Sequence, residues 1–153
     1  MSIDTSVLRA GSAWSADRIE QFLNEAKIPA RFAFVARSGA PLVCSLWYLY
    51  QDGALWFATQ RDARIVAMLE GEPRCGFEVA GDAAPYRGVR GQGRATLVAE
   101  RGPAVLEQLV DRYLGTRESK FARWLLARQQ QEIAVRLDFT WLTSWDFASR
   151  MTR

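Results

Sequence analysis

The sequence contains no histidine, and its two cysteines, Cys44 and Cys75, stand far apart rather than in a C-x-x-C arrangement. The missing histidine removes the commonest metal ligand and the usual general base, which excludes histidine-dependent triads and histidine-ligated haem or zinc. Two isolated cysteines in apolar, strand-like surroundings read as buried reduced thiols rather than a disulfide framework. Long apolar runs are missing as well. The longest, such as Leu46 to Tyr50, fall far short of the roughly 20 residues that a membrane-spanning helix needs, and the N-terminus lacks an apolar signal core. The expectation is a cytoplasmic protein with no membrane partner. The net charge is +3, but the arginines are spread over the chain with no helix-turn-helix, zinc-finger or RNA-binding aromatic pattern. That excludes nucleic acid as the expected partner and favours a small anionic ligand. Any chemistry performed here is expected to belong to a cofactor.

What is present is enough for one ordinary core: 153 residues, 49% of them hydrophobic and 12% aromatic, read as a single domain over residues 1–153. Ser15 caps a helix from Ala16 to Lys27 with Ile19, Phe22, Leu23 and Ala26 on one face, and Pro29 ends it. Strands are expected at Phe32 to Arg37, Leu42 to Tyr50 and Ala54 to Thr59. Gln51-Asp52-Gly53 closes the second onto the third, so the three read as an antiparallel meander. A helix begins just after Thr59 and covers Asp62 to Glu70, with Gly71 as its stop.

Arg74 to Ala80 reads as a further strand. Arg87 to Glu100 reads as a long one interrupted by Gly88, Gly91 and Gly93, which signals a bulge, curvature or close approach. Pro103 opens a helix, Phe121 to Gln130 forms another, and two closing strands, Ile133 to Phe139 and Leu142 to Phe147, are separated by a turn. The sum is a mainly β protein: a small antiparallel barrel of six or seven strands with peripheral helices.

Four pieces in this order carry a resemblance: Leu55-Trp56-Phe57-Ala58-Thr59-Gln60-Arg61 before a helix, Glu72-Pro73-Arg74, Pro85-Tyr86-Arg87-Gly88-Val89-Arg90-Gly91, and Thr143-Ser144-Trp145-Asp146-Phe147. Together they resemble the pyridoxamine 5'-phosphate oxidase-like flavin-binding split barrels, over residues 30–148. The resemblance implies a split-barrel homodimer that binds FMN, or in some relatives the deazaflavin F420, in a cleft between two subunits.

On that resemblance the ring lies against the strand from Leu42 to Trp47, where alternation puts Val43, Ser45 and Trp47 on one face, Ser45 as a donor and Trp47 as a stacking surface. Trp47 reads equally well as core. The strand end Ala58-Thr59-Gln60 with Arg61 and Arg64 would receive the phosphate, since a strand running into a helix N-terminus offers free N–H groups and guanidinium donors. The same arginines also read as a solvated helix face. Arg87, Gly88 and Arg90 occupy positions from which relatives reach the flavin of the other subunit. Spaced by three, Arg87 and Arg90 should face opposite sides of a regular strand.

The chain departs from the family pattern at Ala63 and Ile65, where many relatives have serine and lysine, and this leaves open, in place of FMN, F420, another phosphorylated ligand, or a site that has lost its cofactor. The expected function is an FMN-dependent oxidoreductase in which the flavin moves hydride or electrons to an unknown small molecule. The alternative is a non-catalytic flavin or F420 carrier or sensor.

Overall fold

The computed structural model describes residues 2–152. Helix α1 (Ala16–Glu25) starts as expected, with Ser15 Oγ accepting from the Arg18 N–H at 3.3 Å, and it buries Ile19 and Leu23 completely. Its C-terminal carbonyls are satisfied from elsewhere in the chain. The Tyr48 hydroxyl donates to Leu23 O and Ala26 O at 2.8 and 2.9 Å, and the Arg112 guanidinium reaches the same two oxygens. Unpartnered carbonyls at a buried helix end would cost free energy, so these contacts tie α1 to two distant segments.

The described residues form seven strands: β1 (Ala30–Val35), β2 (Pro41–Leu46), β3 (Leu49–Gln51), β4 (Ala54–Gln60), β5 (Arg74–Ala80), β6 (Arg87–Val98) and β7 (Glu132–Asp146). They make one antiparallel sheet in the order β2-β1-β5-β6-β7-β4-β3. The mainly β, antiparallel expectation holds, with two corrections.

First, the expected strand from Leu42 to Tyr50 is broken, and there is no three-stranded meander. Its halves lie at opposite edges of the sheet, β2 on β1 and β3 on β4. The Asp52-Gly53 turn is as expected, with φ of 56° and 71°. Three residues of extended chain span at most roughly 11 Å, so Leu46 and Leu49 hold the two edges near each other. The sheet therefore curls toward a barrel while its edge strands stay unpaired. The break is held by tertiary contacts: the Tyr48 N–H donates to the Tyr113 hydroxyl at 3.2 Å, and that hydroxyl donates to Ile28 O at 2.9 Å.

Second, the two closing strands are one strand, β7. In place of the expected turn there is a bulge: Gln92 faces Trp141 and Gly93 faces Phe139, which leaves Thr140 without a partner in the ladder. The glycines of β6 belong to this curvature. A Cβ on Gly91 would lie 2.6 Å from Trp141 O, and one on Gly93 would lie 2.4 Å from Asp138 O.

Phe32, Tyr48, Phe57, Val89, Leu137 and Leu142 fill the interior without exposure, each contributing on the order of 1.5–3 kcal/mol by leaving water. Helix α2 (Arg64–Gly71) adds Leu69 to this core. Helix α3 (Gly102–Leu114) lies outside the sheet, packing Val105 and Leu109 on Trp56 and Ala134. Helices α4 (Lys120–Leu126) and α5 (Ala148–Met151) follow, α4 being shorter than expected because Gln129–Gln131 turns as a 3-10 segment. Both cysteines are free and partly buried. No described helix is long and apolar enough to cross a membrane.

Candidate functional site

Strand alternation decides what the sheet shows to the outside. Phe32, Cys44 and Phe77 point into the core, so their neighbours Arg31, Ser45 and Glu78 point outward. The register aligns these side chains into rows across four strands. Ser45, Arg31, Glu78 and Arg90 form one, and Val43, Ala33, Gly76 and Gln92 form the next. Arg31, Val43, Ser45, Glu78, Arg90 and Gln92 are all exposed. Arg31 donates to Ser45 Oγ at 2.6 Å, and Val43 is 66% exposed on the edge strand.

At the far end of this face the Arg90 guanidinium lies 5.7 Å from the ring centre of Trp145. Gly88 is required there by packing, because a Cβ would meet Ala80 Cβ at 2.5 Å and Trp145 at 2.9 Å. Arg87 faces elsewhere, into a separate cleft of about 330 Å³ shared with Phe22, Ile28 and Pro85. The spacing of three thus separates the two arginines as alternation requires.

Trp47 does not share the outward face with Val43 and Ser45. β2 ends at Leu46, and beyond it Trp47 stacks on Tyr113 of α3 with ring centres 4.9 Å apart and planes 4° apart, and meets Phe121 of α4 edge-on at 6.2 Å. Alternation fails because the chain turns at this point to change sheet edges.

A second cluster forms where the β1–β2 turn meets α2. Ala36, Arg37 and Ser38 from the turn and Arg64, Ala67 and Met68 from the helix line a cleft of about 430 Å³ without a carboxylate. Neither arginine belongs to an ion pair among the described residues. Ala63 is the N-cap of α2 and supplies no side-chain cap; the Val66 N–H donates to Ala63 O at 3.0 Å, and no side chain among the described residues caps the N–H groups of Arg64 and Ile65. Ile65 packs against the core instead of facing a ligand.

The structure divides the other strand-end candidates. Thr59 follows the inward alternation of Leu55 and Phe57 and is half-buried at the end of β4. Ala58 and Gln60 point the other way, Ala58 beneath α3 and Gln60 donating to the buried Glu132 carboxylate. The helix starts later than expected, and Arg61 sits in the exposed turn before it, its N–H donating to Gln131 O at 2.8 Å. Arg64 is the arginine that enters the cleft. Arg37 was expected as the last residue of the first strand, but β1 ends at Val35 and Arg37 lies in the turn with Ser38; nothing local in Arg37-Ser38-Gly39 signals that α2 lies opposite.

On the other side of the same hairpin, Val35 and Pro41 border a larger cleft of about 510 Å³ with Gly76 and Gln92 in its wall. Arg74 and Arg94 stand directly opposite each other there, and the Glu72 carboxyl, hydrogen-bonded by Arg74, is held below the usual carboxylate value of 4.5. Cys75 also lines this cleft, but burial pushes its thiol up to about 12, so it carries no thiolate nucleophile at neutral pH.

The curled antiparallel sheet is matched by known proteins. The family model for pyridoxamine 5'-phosphate oxidase fits residues 15–142. The chain belongs to the pyridoxamine 5'-phosphate oxidase family. Among solved structures, a conserved hypothetical protein of Mycobacterium tuberculosis is 26% identical, with a TM-score of 0.76 over 91% of this chain and 89% of that one. An F420 reductase superposes at a TM-score of 0.69 with 20% identity over 80% of this chain and 94% of its own. An FAD-binding protein from Mesorhizobium loti gives 0.61 with 19% identity, over 86% and 92% of the two chains. The last two share the split-barrel fold with this family member. Among curated proteins, none matches the sequence significantly.

Proposed function

We propose that this protein is a homodimeric FMN-binding oxidoreductase whose phosphate site is the cleft of Arg37, Ser38 and Arg64. The carboxylate-free pairing of those two arginines carries the reading. A dianionic phosphate calls for charge-assisted donors, and two guanidinium groups, a hydroxyl and an uncapped helix start suit it. Arg37 and Ser38 stand in for the lysine and serine that Ile65 and Ala63 do not provide.

Along the same hairpin, β2 is an edge strand whose outer N–H and C=O groups pair with no other strand among the described residues, with Val43 and Ser45 facing outward. That combination suits a flat ring needing an apolar wall and a few hydrogen bonds along one side. Bound FMN supplies the hydride or electron transfer, and the chain supplies grip and orientation. A second copy against the open face would bring Arg90 and Gly88 toward the ring. F420 is the second reading, favoured by the departure at Ala63 and Ile65 and by the likeness to an F420 reductase.

Titration calorimetry with FMN tests the site. The parent protein should bind stoichiometrically, and Arg37→Ala and Arg64→Ala should each weaken binding by about tenfold to a hundredfold, from roughly 1.5–3 kcal/mol per charge-assisted contact. Unchanged affinity in both variants would place the phosphate elsewhere. Bleaching of the bound flavin by NADH or NADPH would identify a reductase, and a bound flavin that no donor reduces would indicate carriage or sensing.

A further inference from the structure

Arg31 forms no ion pair among the described residues, although Glu78 stands directly across the β1–β5 pairing. Its guanidinium is turned toward the edge strand, where Nη1 donates to Ser45 Oγ at 2.6 Å. A guanidinium has donors and no acceptor, so Ser45 Oγ is the accepting atom and its own proton is directed elsewhere. Among the described residues nothing takes that proton, and Ser45 is exposed on the outward face of β2. A hydroxyl that accepts from a cation is polarised into a stronger donor.

The geometry points to Arg31 as a positioning residue that aims the Ser45 proton at a bound flavin ring and favours the ring's reduced, negatively charged form. This rests on the flavin reading above. Two electrons and one proton entering an oxidised isoalloxazine leave one negative charge on the ring, and a hydroxyl donor backed by a cation stabilises that charge. Glu78 and Arg90, the other charged groups in the row, stay on the far side of Arg31 from Ser45.

The test is the reduction potential of bound FMN, read against a reference dye during dithionite titration, for the parent protein, Arg31→Gln, Arg31→Lys, Ser45→Ala and the double variant Arg31→Gln/Ser45→Ala. Arg31→Gln should lose roughly tenfold in preference for the reduced ring, about 30 mV for a two-electron couple, and Arg31→Lys should retain most of that preference. In the Ser45→Ala background the same Gln substitution should shift the potential less, because the two residues act as one unit. Both side chains are exposed, so melting temperatures should stay level. An unchanged potential in Arg31→Gln, or equal shifts in both backgrounds, would overturn the inference while flavin binding stands. If the parent protein binds no FMN, the flavin reading fails, and this inference with it.

Discussion

Where α3 lies across β4 and β7, the outward residues of the sheet are Trp56, Ala58 and Ala134, and the helix seals them with Val105 and Leu109. Where no described helix lies, over β2, β1, β5 and β6, the outward residues are Val43, Ser45, Arg31, Glu78 and Arg90. Both are outer faces of the same curled sheet with the same alternation. The covered half is finished by the chain itself with large apolar groups, which stabilise by leaving water. The open half carries small and charged groups arranged in register, with clefts of about 430 and 510 Å³ on either side of the β1–β2 hairpin. The two halves share one inner core, through Phe32 and Phe77 on one side and Phe57 and Leu137 on the other, and differ only in what covers their outer faces.

The contrast breaks most visibly on the covered side. Trp56 is 2% exposed, its indole N–H donates to Gln51 O at 3.0 Å, and the Arg101 guanidinium lies 4.5 Å from its ring centre. Trp56→Ala should cost about 3–5 kcal/mol and lower the melting temperature by roughly 10 °C, as read by thermal unfolding. A loss below about 1 kcal/mol would mean that α3 is not held by this contact.

On the open side the expected effect is on assembly rather than on folding. Val43→Asp adds a charge to an exposed position, so the isolated fold should change by no more than about 0.5 kcal/mol. If the open face receives a second copy, sedimentation should show the dimer weakened or lost. A large drop in melting temperature without a change in mass would instead make this face part of the single-chain core.

The smallest expected effect sharpens the boundary between the halves. Glu132 is 6% exposed next to Gly102 at the start of α3, and burial holds its carboxyl above the usual 4.5 despite the Gln60 donor. A raised native value means that the folded state keeps its proton longer than the unfolded state. The stability this group provides is therefore full below 4.5 and lost as pH rises through the native value. Glu132→Gln should raise the melting temperature modestly at pH 7, leave it nearly unchanged at pH 4, and flatten the slope between. An equal effect at both pH values would show that ionisation is not what the site resists.

Much of the fold was legible locally. Ser15 capped α1, Asp52-Gly53 made its turn and Pro103 opened α3, because each of these acts through the backbone of its own neighbours, while the glycines of β6 signalled a bulge, curvature or close approach without showing that the extra residue is Thr140 of β7. The break at Trp47-Tyr48 was not legible, since Leu42 to Tyr50 is rich in strand formers throughout. Its cause is Tyr113, 65 residues away, which accepts the Tyr48 N–H. The candidate site was split in the same way. Arg64 lines a cleft and the outward pairing of Val43 with Ser45 follows from alternation, whereas Trp47 and Ala58 are packed against other elements and Gln60 is paired with Glu132. Arg31, Arg37 and Ser38, which enter the proposed site, were not singled out, because each is placed by a partner on another strand or helix.

By itself, then, the sequence determined the element types, the inward and outward alternation of each strand, and a chemistry without histidine or a reactive thiol. These follow from propensity, periodicity and composition, which act over a few residues. Only the tertiary structure decided which strands are neighbours, where the sheet edges approach, and which arginines share a cleft. Strand order and register depend on contacts between residues distant in the chain, and one residue of slip or one exchanged edge would assemble a different outer face from the same strands.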